Sequence, residues 1–301
     1  MSLRVLAPGT HSLLVDTGRP RTRGLGVPVG GPADRVSLAL GNALVGNPPL
    51  TPALEVTLSG PTLIADADTG ICVFGAPFRL ECAGEPVPAG HTFTLEAGQT
   101  LRIGGTPSGC RAYVCVPGGF RTLRVLDSAT AFEPIRKSDV LSCEASRLPG
   151  RDLGESFGSY NLVPEAGSLR LRVLPGPQVD WFDELFFGRT YQVTPASNRM
   201  GVRLDGQPLA IPKRELISEP VAPGAVQITN DGKPIILGID GQTIGGYPKI
   251  AHVIAADLDA VGQFRPGDVI RFQKVTESVA EDAAARQREE LRRWLRRISL
   301  A

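Results

Sequence analysis

Three short stretches of this sequence concentrate residue types that could bind or activate a small polar molecule. One is Ser197-Asn198-Arg199-Met200-Gly201-Val202-Arg203-Leu204-Asp205-Gly206. Arg199 and Arg203 lie four apart, and two guanidinium groups so spaced could fork onto a substrate carboxylate. The competing reading is a pair of solvated or internally paired arginines. Another is Asp240-Gly241-Gln242-Thr243-Ile244-Gly245-Gly246-Tyr247-Pro248-Lys249, directly after the apolar run Pro234–Ile239. A polar, glycine-rich loop at a strand end lets backbone come close to a ligand. Asp240 could orient a donor or act as a base. Gln242 and Thr243 could bind an amide or lactam, Lys249 could hold an anion, and Gly245, Gly246 and Tyr247 complete the candidate binding loop. The competing reading is an elaborate β-turn. The last stretch is Gly24-Leu25-Gly26-Val27-Pro28-Val29-Gly30-Gly31-Pro32-Ala33-Asp34-Arg35, which leads into a segment carrying Asn42. Glycines ahead of a helix start could offer backbone N–H groups to an anion. Asp34 and Asn42 are then candidate substrate-binding residues; a tight turn with Asp34 near the helix N-terminus is the alternative.

Generic catalytic patterns are missing. There is no GxxxxGK[ST] phosphate loop, HExxH zinc motif, G-x-S-x-G elbow or GxGxxG after a strand. His11, His91 and His252 are far apart, and the five cysteines include no CxxC, so no metal site is expected. Cys72, Cys82, Cys110, Cys115 and Cys143 read as reduced core residues, which places the chain in the cytoplasm.

The elements that must position these stretches are mostly strands. Arg4–Leu6, Ser12–Val15, Ala53–Leu58, Thr62–Ala65, Ile71–Phe74, Thr92–Leu95 and Thr100–Ile103 are short and rich in β-formers, and Arg111–Val116 reads as a central strand. One helix is expected over Pro32–Val45, stopped by Gly46-Asn47-Pro48-Pro49. Between about Glu144 and Gly167 periodicity is lost, and Arg147–Gly150 with Gly154–Ser159 reads as a linker. Strands resume at Leu169–Leu174. Asp180–Phe187 suggests a short amphipathic helix. Ala225–Ile228 and Pro234–Ile239 form a hairpin about Asp231-Gly232, and Val269–Phe272 closes the series. In the final segment Leu291, Trp294, Leu295 and Ile298 share one helical face, with Glu281 and Asp282 early and four arginines late, as the helix dipole favours. That face predicts docking on the chain's own body or on a sister chain.

Composition supports this picture. The 301 residues hold 35 Gly and 26 Pro, which favours many short strands over long helices. Net charge is +1, so neither nucleic acid nor an anionic membrane is an implied partner. No apolar run is long enough to span a bilayer, and Met1–Gly9 is too weakly apolar for a secretory leader.

Taken together and in order, these stretches resemble the biotin-dependent carboxyltransferase family related to urea amidolyase, of the allophanate hydrolase subunit 2 type. The family's G-V-P-x-S-G-A-M-D and A-N-x-L-V-G-N patterns match Gly26–Asp34 and Gly41–Asn47, and L-E-x-T-x-x-G-P matches Leu54–Pro61. Val173–Gln178, Arg199–Gly206, Ser218–Val221, Gln242–Pro248, Ala256–Leu258 and Gln263–Asp268 follow family usage. The resemblance covers roughly residues 5–275. It implies a mainly β chain with two cyclophilin-like β-barrel domains: subdomain A over 1–155, subdomain B over 156–276, then an amphipathic helix over 277–301. The group includes the C component of bacterial ATP-dependent 5-oxoprolinase and a Kip-type antagonist of a sporulation kinase inhibitor. The resemblance therefore implies an allophanate-hydrolase-subunit-1-like sister, a third 5-oxoprolinase component, a small amide or lactam substrate, and ATP used by the complex. Biotin takes part in the urea carboxylase members and need not in the others.

One stretch departs from the family. After Gly118-Gly119, members carry G-S-x-S-T and further glycines before a G-D turn. Here Val125–Asp139 is shortened, and only Ser128 and Thr130 echo that motif. Gly30 and Ala33 also replace the serine and methionine of S-G-A-M-D. Three functions stay open: a lactam-hydrolysing component with Asp240, Arg203 and Lys249 as catalytic residues, a regulatory antagonist that sequesters its sister, and a carboxyltransferase served by a biotinylated carrier.

Overall fold

Short β-forming runs separated by glycine and proline bury their apolar faces only by pairing, and that pairing organises this chain. A computed structural model describes residues 1–153 and 168–300. The Gly154–Ser159 part of the expected linker and the 155/156 domain boundary lie outside the described residues. The chain divides into two units. One comprises Met1–Arg19, Gly30–Val163 and Leu291–Ala301, the other Pro20–Val29 and Pro164–Glu290.

In chain order the first unit carries β1 (Ser2–Ala7), β2 (His11–Val15), α1 (Arg35–Leu44), β3 (Ala53–Thr57), β4 (Thr62–Ala65), β5 (Thr69–Gly75), β6 (Leu80–Cys82), β7 (Glu85–Val87), β8 (Thr92–Leu95), β9 (Thr100–Ile103), β10 (Arg111–Cys115) and β11 (Val140–Ser142). They form two antiparallel sheets, ordered β11-β1-β4-β9-β6-β7 and β2-β3-β10-β5-β8. Leu3, Leu63 and Leu101 of one sheet pack with Leu54, Val73 and Val114 of the other. β10 is central and buried on both faces, which is why its sequence runs apolar without alternation. Its second face packs under α1, with Tyr113 and Cys115 beside Leu38, Leu40 and Leu44. Gly41 allows that approach, because a Cβ there would stand 2.9 Å from the Phe74 Cβ.

Glu144–Leu153 is not a free linker. It runs beside β8, where Thr92 Oγ1 donates to the Pro149 carbonyl at 2.6 Å and Thr94 Oγ1 accepts from Leu148 N–H at 3.0 Å.

The second unit carries β12 (Ser168–Pro175), β13 (Thr190–Val193), β14 (Gly201–Asp205), β15 (Glu219–Pro220), β16 (Ala225–Ile228), β17 (Pro234–Leu237), β18 (Ile244–Gly245), β19 (Lys249–Val253), α2 (Leu258–Val261), β20 (Val269–Lys274) and α3 (Glu277–Leu300). Seven of these strands close a barrel in the order β12-β19-β16-β17-β14-β13-β20, and β15 and β18 form a separate ribbon. Phe186, Tyr191 and Phe272 stack at one side of the barrel core, with Phe186 and Phe272 4.8 Å apart. The expected helix over Asp180–Phe187 is instead two 3-10 turns, Val179–Trp181 and Glu184–Gly188. Phe182 and Asp183 are extended between them, and the Asp183 carboxylate caps Leu185 N–H. Asp183 is the extended N-cap of the second turn, and a residue in that conformation breaks the segment before one continuous helix can form.

The mainly β architecture with a terminal helix matches the expectation. The last part of α3, Leu291 onward, belongs to the first unit. Trp294 and Ile298 are buried in its α1 cluster, and Leu291 and Leu295 pack against that cluster. The apolar face of α3 thus docks on the chain's own body. Among the described residues no helix is long and apolar enough to cross a membrane.

Candidate functional site

The second unit gathers most of the polar loop residues singled out by sequence. On β16, Val226 and Ile228 enter the barrel core, so Gln227 between them faces outward. A bulge in the β16–β19 pairing sets Lys249 across from Gln227 on that same outer face. Pairing within the β15–β18 ribbon places Glu219 opposite Gly245. The ribbon covers the outer face: Lys249 Nζ forms an ion pair with Glu219 Oε1, and Gln178 Nε2 donates to the same oxygen at 3.1 Å. Gln178 Oε1 in turn accepts from Lys249 N–H at 2.9 Å. Lys249 and Gln178 are buried. The hydrogen bond from Lys249 outweighs burial and holds the Glu219 carboxyl below the usual glutamate range.

Gly245 is a matter of space rather than of backbone freedom. A Cβ there would lie 2.8 Å from Gln227 Nε2, 2.8 Å from Gln242 Nε2 and 3.4 Å from Val221 Cγ1. Gln227 is 1% exposed, and its Nε2 is sealed without a hydrogen-bond partner among the described residues. Thr243 is buried, with its carbonyl accepting from Val221 N–H at 3.0 Å. Gly246 is exposed and Tyr247 half-buried. Arg23 joins this loop: Nη2 donates to the Gln242 carbonyl at 3.1 Å and to the Val221 carbonyl. Burial lowers the Arg23 pKa from its ordinary value.

At the start of the same loop Arg199 and Asp240 pair with each other. Arg199 Nε donates to Asp240 Oδ2 at 2.6 Å and Nη2 to Oδ1 at 3.0 Å. The loop backbone is clamped there, because a Cβ on Gly238 would overlap the Arg199 carbonyl oxygen. Arg203 does not join the pair. It lies on β14, where it is exposed while Val202 and Leu204 face the core. The two arginines therefore do not form one fork.

Asp34 and Asn42 sit in the first unit as fully buried groups. Asp34 caps α1, accepting from Ser37 N–H at 2.9 Å and from Ser37 Oγ at 2.6 Å. Its own N–H donates to Tyr113 Oη, which donates to Glu55 Oε2, each at 2.8 Å. Burial first, then Glu55 and Asp34, raises the Tyr113 pKa well above the ordinary phenol. Asn42 Nδ2 donates to the Thr51 carbonyl at 2.9 Å, and its Oδ1 accepts from Asn47 at 2.9 Å. Both side chains thus hold the turns that flank α1.

The divergent Val125–Asp139 stretch is also anchored. Buried Asp16 accepts from Ser128 Oγ at 2.5 Å, Ala129 N–H at 2.7 Å, Thr130 Oγ1 at 2.9 Å and Gly18 N–H at 3.0 Å. Burial alone would raise its pKa. These hydrogen bonds win and hold it below the ordinary aspartate value. Arg19 Nε donates to the Val125 carbonyl at 3.1 Å.

Sequence reasoning missed Asp16, Arg23, Glu219 and Gln227. Arg23 stands one residue before the glycine-rich stretch, and Glu219 lies in the Ser218–Val221 match, so both carried a signal. Among the described residues, no group of three or more His, Cys, Asp or Glu is placed to hold a metal ion.

The carboxyltransferase domain family, subdomain A and B, matches residues 25–274. The C component of Haemophilus influenzae 5-oxoprolinase is 34% identical over 298 residues, covering 95% of this chain and 95% of its own length. The Escherichia coli protein of the same name is 33% identical over 294 residues, covering 95% and 94%. The crystal structure of the Kluyveromyces lactis urea amidolyase aligns with a TM-score of 0.86 at 29% identity, covering 97% of this chain. This chain spans 20% of that longer protein.

Proposed function

Because this chain belongs to the carboxyltransferase family of subdomains A and B, we propose that it is a non-autonomous part of an ATP-dependent complex that hydrolyses a cyclic amide, 5-oxoproline, to glutamate. The observation that carries this reading is the match to the 5-oxoprolinase C component, which extends over 95% of both chains. Residues 1–155 and 156–276 then correspond to subdomains A and B. The complex contains an allophanate-hydrolase-subunit-1-like sister and a third component, and it works in the cytoplasm. ATP is handled with those partners, since this sequence has no phosphate-binding loop.

The polar layer over the second barrel supports the chemistry. A lactam offers a carbonyl oxygen that accepts hydrogen bonds and a ring N–H that donates one. Lys249, held by Glu219, stabilises negative charge on the carbonyl oxygen as water adds to the carbonyl carbon. Asp240, fixed by Arg199, serves as the base: it takes a proton from that water and returns it to the ring nitrogen as the C–N bond breaks. Gln242, Thr243, Gly245, Gly246 and Tyr247 shape the loop around the ring, and exposed Arg203 meets the α-carboxylate. Arg199 is a positioning residue in this scheme.

A second reading is favoured by the likeness to the K. lactis urea amidolyase. In it the chain transfers a carboxyl group, and biotin arrives as a substrate on a separate carrier. The test is ATP hydrolysis stimulated by 5-oxoproline, with glutamate release, by this chain mixed with its sister proteins. Turnover that requires this chain supports the hydrolase reading. Activity that appears only with a biotinylated carrier, and that avidin abolishes, selects the carboxyltransferase. A tight complex without turnover selects the antagonist.

A further inference from the structure

The stretch Thr22–Val27 closes on itself. The Thr22 carbonyl accepts from Leu25 N–H at 2.8 Å and from Val27 N–H at 3.3 Å, and Thr22 Oγ1 donates to the Val27 carbonyl at 3.1 Å. Gly26 ends the 3-10 turn Arg23–Leu25 at φ +79°, a left-handed conformation that glycine adopts without strain. Pro20–Val29 belongs to the second unit, although the chain on either side of it belongs to the first. This braced turn presents Arg23 to the Gln242–Lys249 loop. Arg23 Nη2 donates to the Gln242 carbonyl at 3.1 Å and to the Val221 carbonyl. Val221 N–H in turn donates to the Thr243 carbonyl at 3.0 Å, one residue beyond the Pro220–Ile244 pair. The guanidinium therefore sits at the end of the β15–β18 ribbon and bridges its two strands.

A cation held in this way is costly. Arg23 Nη1 is sealed from water without a hydrogen-bond partner, and no carboxylate pairs with Arg23 among the described residues. A methionine would fill a similar volume without that cost. What the guanidinium adds is geometry, since its planar donors point in fixed directions. The charged side chains at the two ends of the loop are each held by an ion pair, Asp240 by Arg199 and Lys249 by Glu219. Between them, the hydrogen bonds that reach the Gln242 and Thr243 backbone come from Arg23 and Val221. We infer that Arg23 is a positioning residue: it clamps the Gln242–Thr243 backbone and so sets how Asp240 and Lys249 face one substrate. The role given to those two side chains rests on the proposed lactam hydrolysis; the clamp itself does not.

Two measurements on Arg23→Met test the inference. The first needs no substrate: backbone hydrogen exchange of the full-length chain, read by mass spectrometry. The amides of Gln242–Gly246 are expected to exchange about tenfold faster than in wild type, while β16 and β17 keep their wild-type protection. Unchanged exchange in the loop, or faster exchange throughout the barrel, overturns the clamp. The second measurement assays the assembled complex with 5-oxoproline. A catalytic group misplaced by about 1 Å costs about 100-fold, so kcat is expected to fall by about that factor with KM little changed. The urea midpoint of the variant chain is expected to match wild type. A wild-type kcat, whatever the urea midpoint, would make Arg23 a structural strut and overturn the inference. A wild-type complex inert toward 5-oxoproline sinks the hydrolase reading alone, and the exchange measurement still decides the clamp.

Discussion

Arg199 grips Asp240 through two parallel hydrogen bonds, and the arginine is the more deeply buried partner, with 7% of its side chain exposed against 31%. The carboxylate therefore stands at the surface on a buried, forked support. Asp240→Asn keeps the size and removes the charge. We expect it to cut kcat by about 10²–10⁴-fold, the usual worth of a positioned base, with an intact near-ultraviolet circular dichroism spectrum. Arg199→Lys cannot fork and should lower kcat while moving KM little. Wild-type turnover in Asp240→Asn removes Asp240 from the mechanism.

Arg203 projects from the outer face of β14, where Val202 and Leu204 alternate inward. Arg203→Ala should leave unfolding within about 0.5 kcal/mol of wild type, as for an exposed position. In the complex, KM for 5-oxoproline should rise about tenfold or more, a charged hydrogen bond being worth about 1.5–3 kcal/mol. A KM equal to wild type excludes Arg203 from carboxylate binding.

Asp16, just past the end of β2, holds the divergent Val125–Asp139 stretch through three accepted hydrogen bonds and takes a fourth from Gly18. Its pKa in the folded chain lies below the unfolded value. The carboxylate therefore contributes stability that is fully present above about pH 4, the unfolded aspartate value, and is lost as pH falls through the folded pKa. Asp16→Asn should cost about 2–4 kcal/mol at neutral pH by turning an amide donor toward donors. Urea denaturation at pH 7 and pH 3 checks this. The gap between wild type and variant should narrow in acid, and a gap independent of pH would refute the ionised anchor.

Trp294 is 5% exposed in the α1 cluster, far in sequence from every other member except Ile298 and its neighbours on α3. Trp294→Ala should cost about 3–5 kcal/mol, as large aromatic deletions do. In a Trp181→Phe background, emission from Trp294 should be blue-shifted in the folded chain and move red in the urea transition of the first unit. Emission already typical of water in the native protein would show that α3 is not docked.

Much of the fold was legible because burial on one or two faces writes a pattern. β10 reads as central from its unbroken apolar run, and the β16–β17 hairpin reads from Asp231-Gly232. The terminal helix reads from the spacing of Trp294 and Ile298. β15 and β18 are two residues long and β6 and β7 three, too short for any period. The Asp240–Lys249 loop was legible by residue type. Gln227 was not: a glutamine between Val226 and Ile228 reads as an ordinary solvent-facing position on an alternating strand. Only the ribbon β15–β18, whose two strands flank it in the chain and fold back over β16, covers it. Asp16 was hidden for a similar reason, since its hydroxyl partners lie 112 and 114 residues away.

The division of the chain has a consequence for its truncation. Each unit includes a segment from beyond the other: Pro20–Val29 interrupts the first, and Leu291–Ala301 returns to it after the second is finished. A break at 163/164 would leave one product carrying ten residues foreign to its unit and lacking the tryptophan that seals α1. The two halves are spliced through one another rather than strung in series. Truncation at the midpoint therefore yields no complete unit.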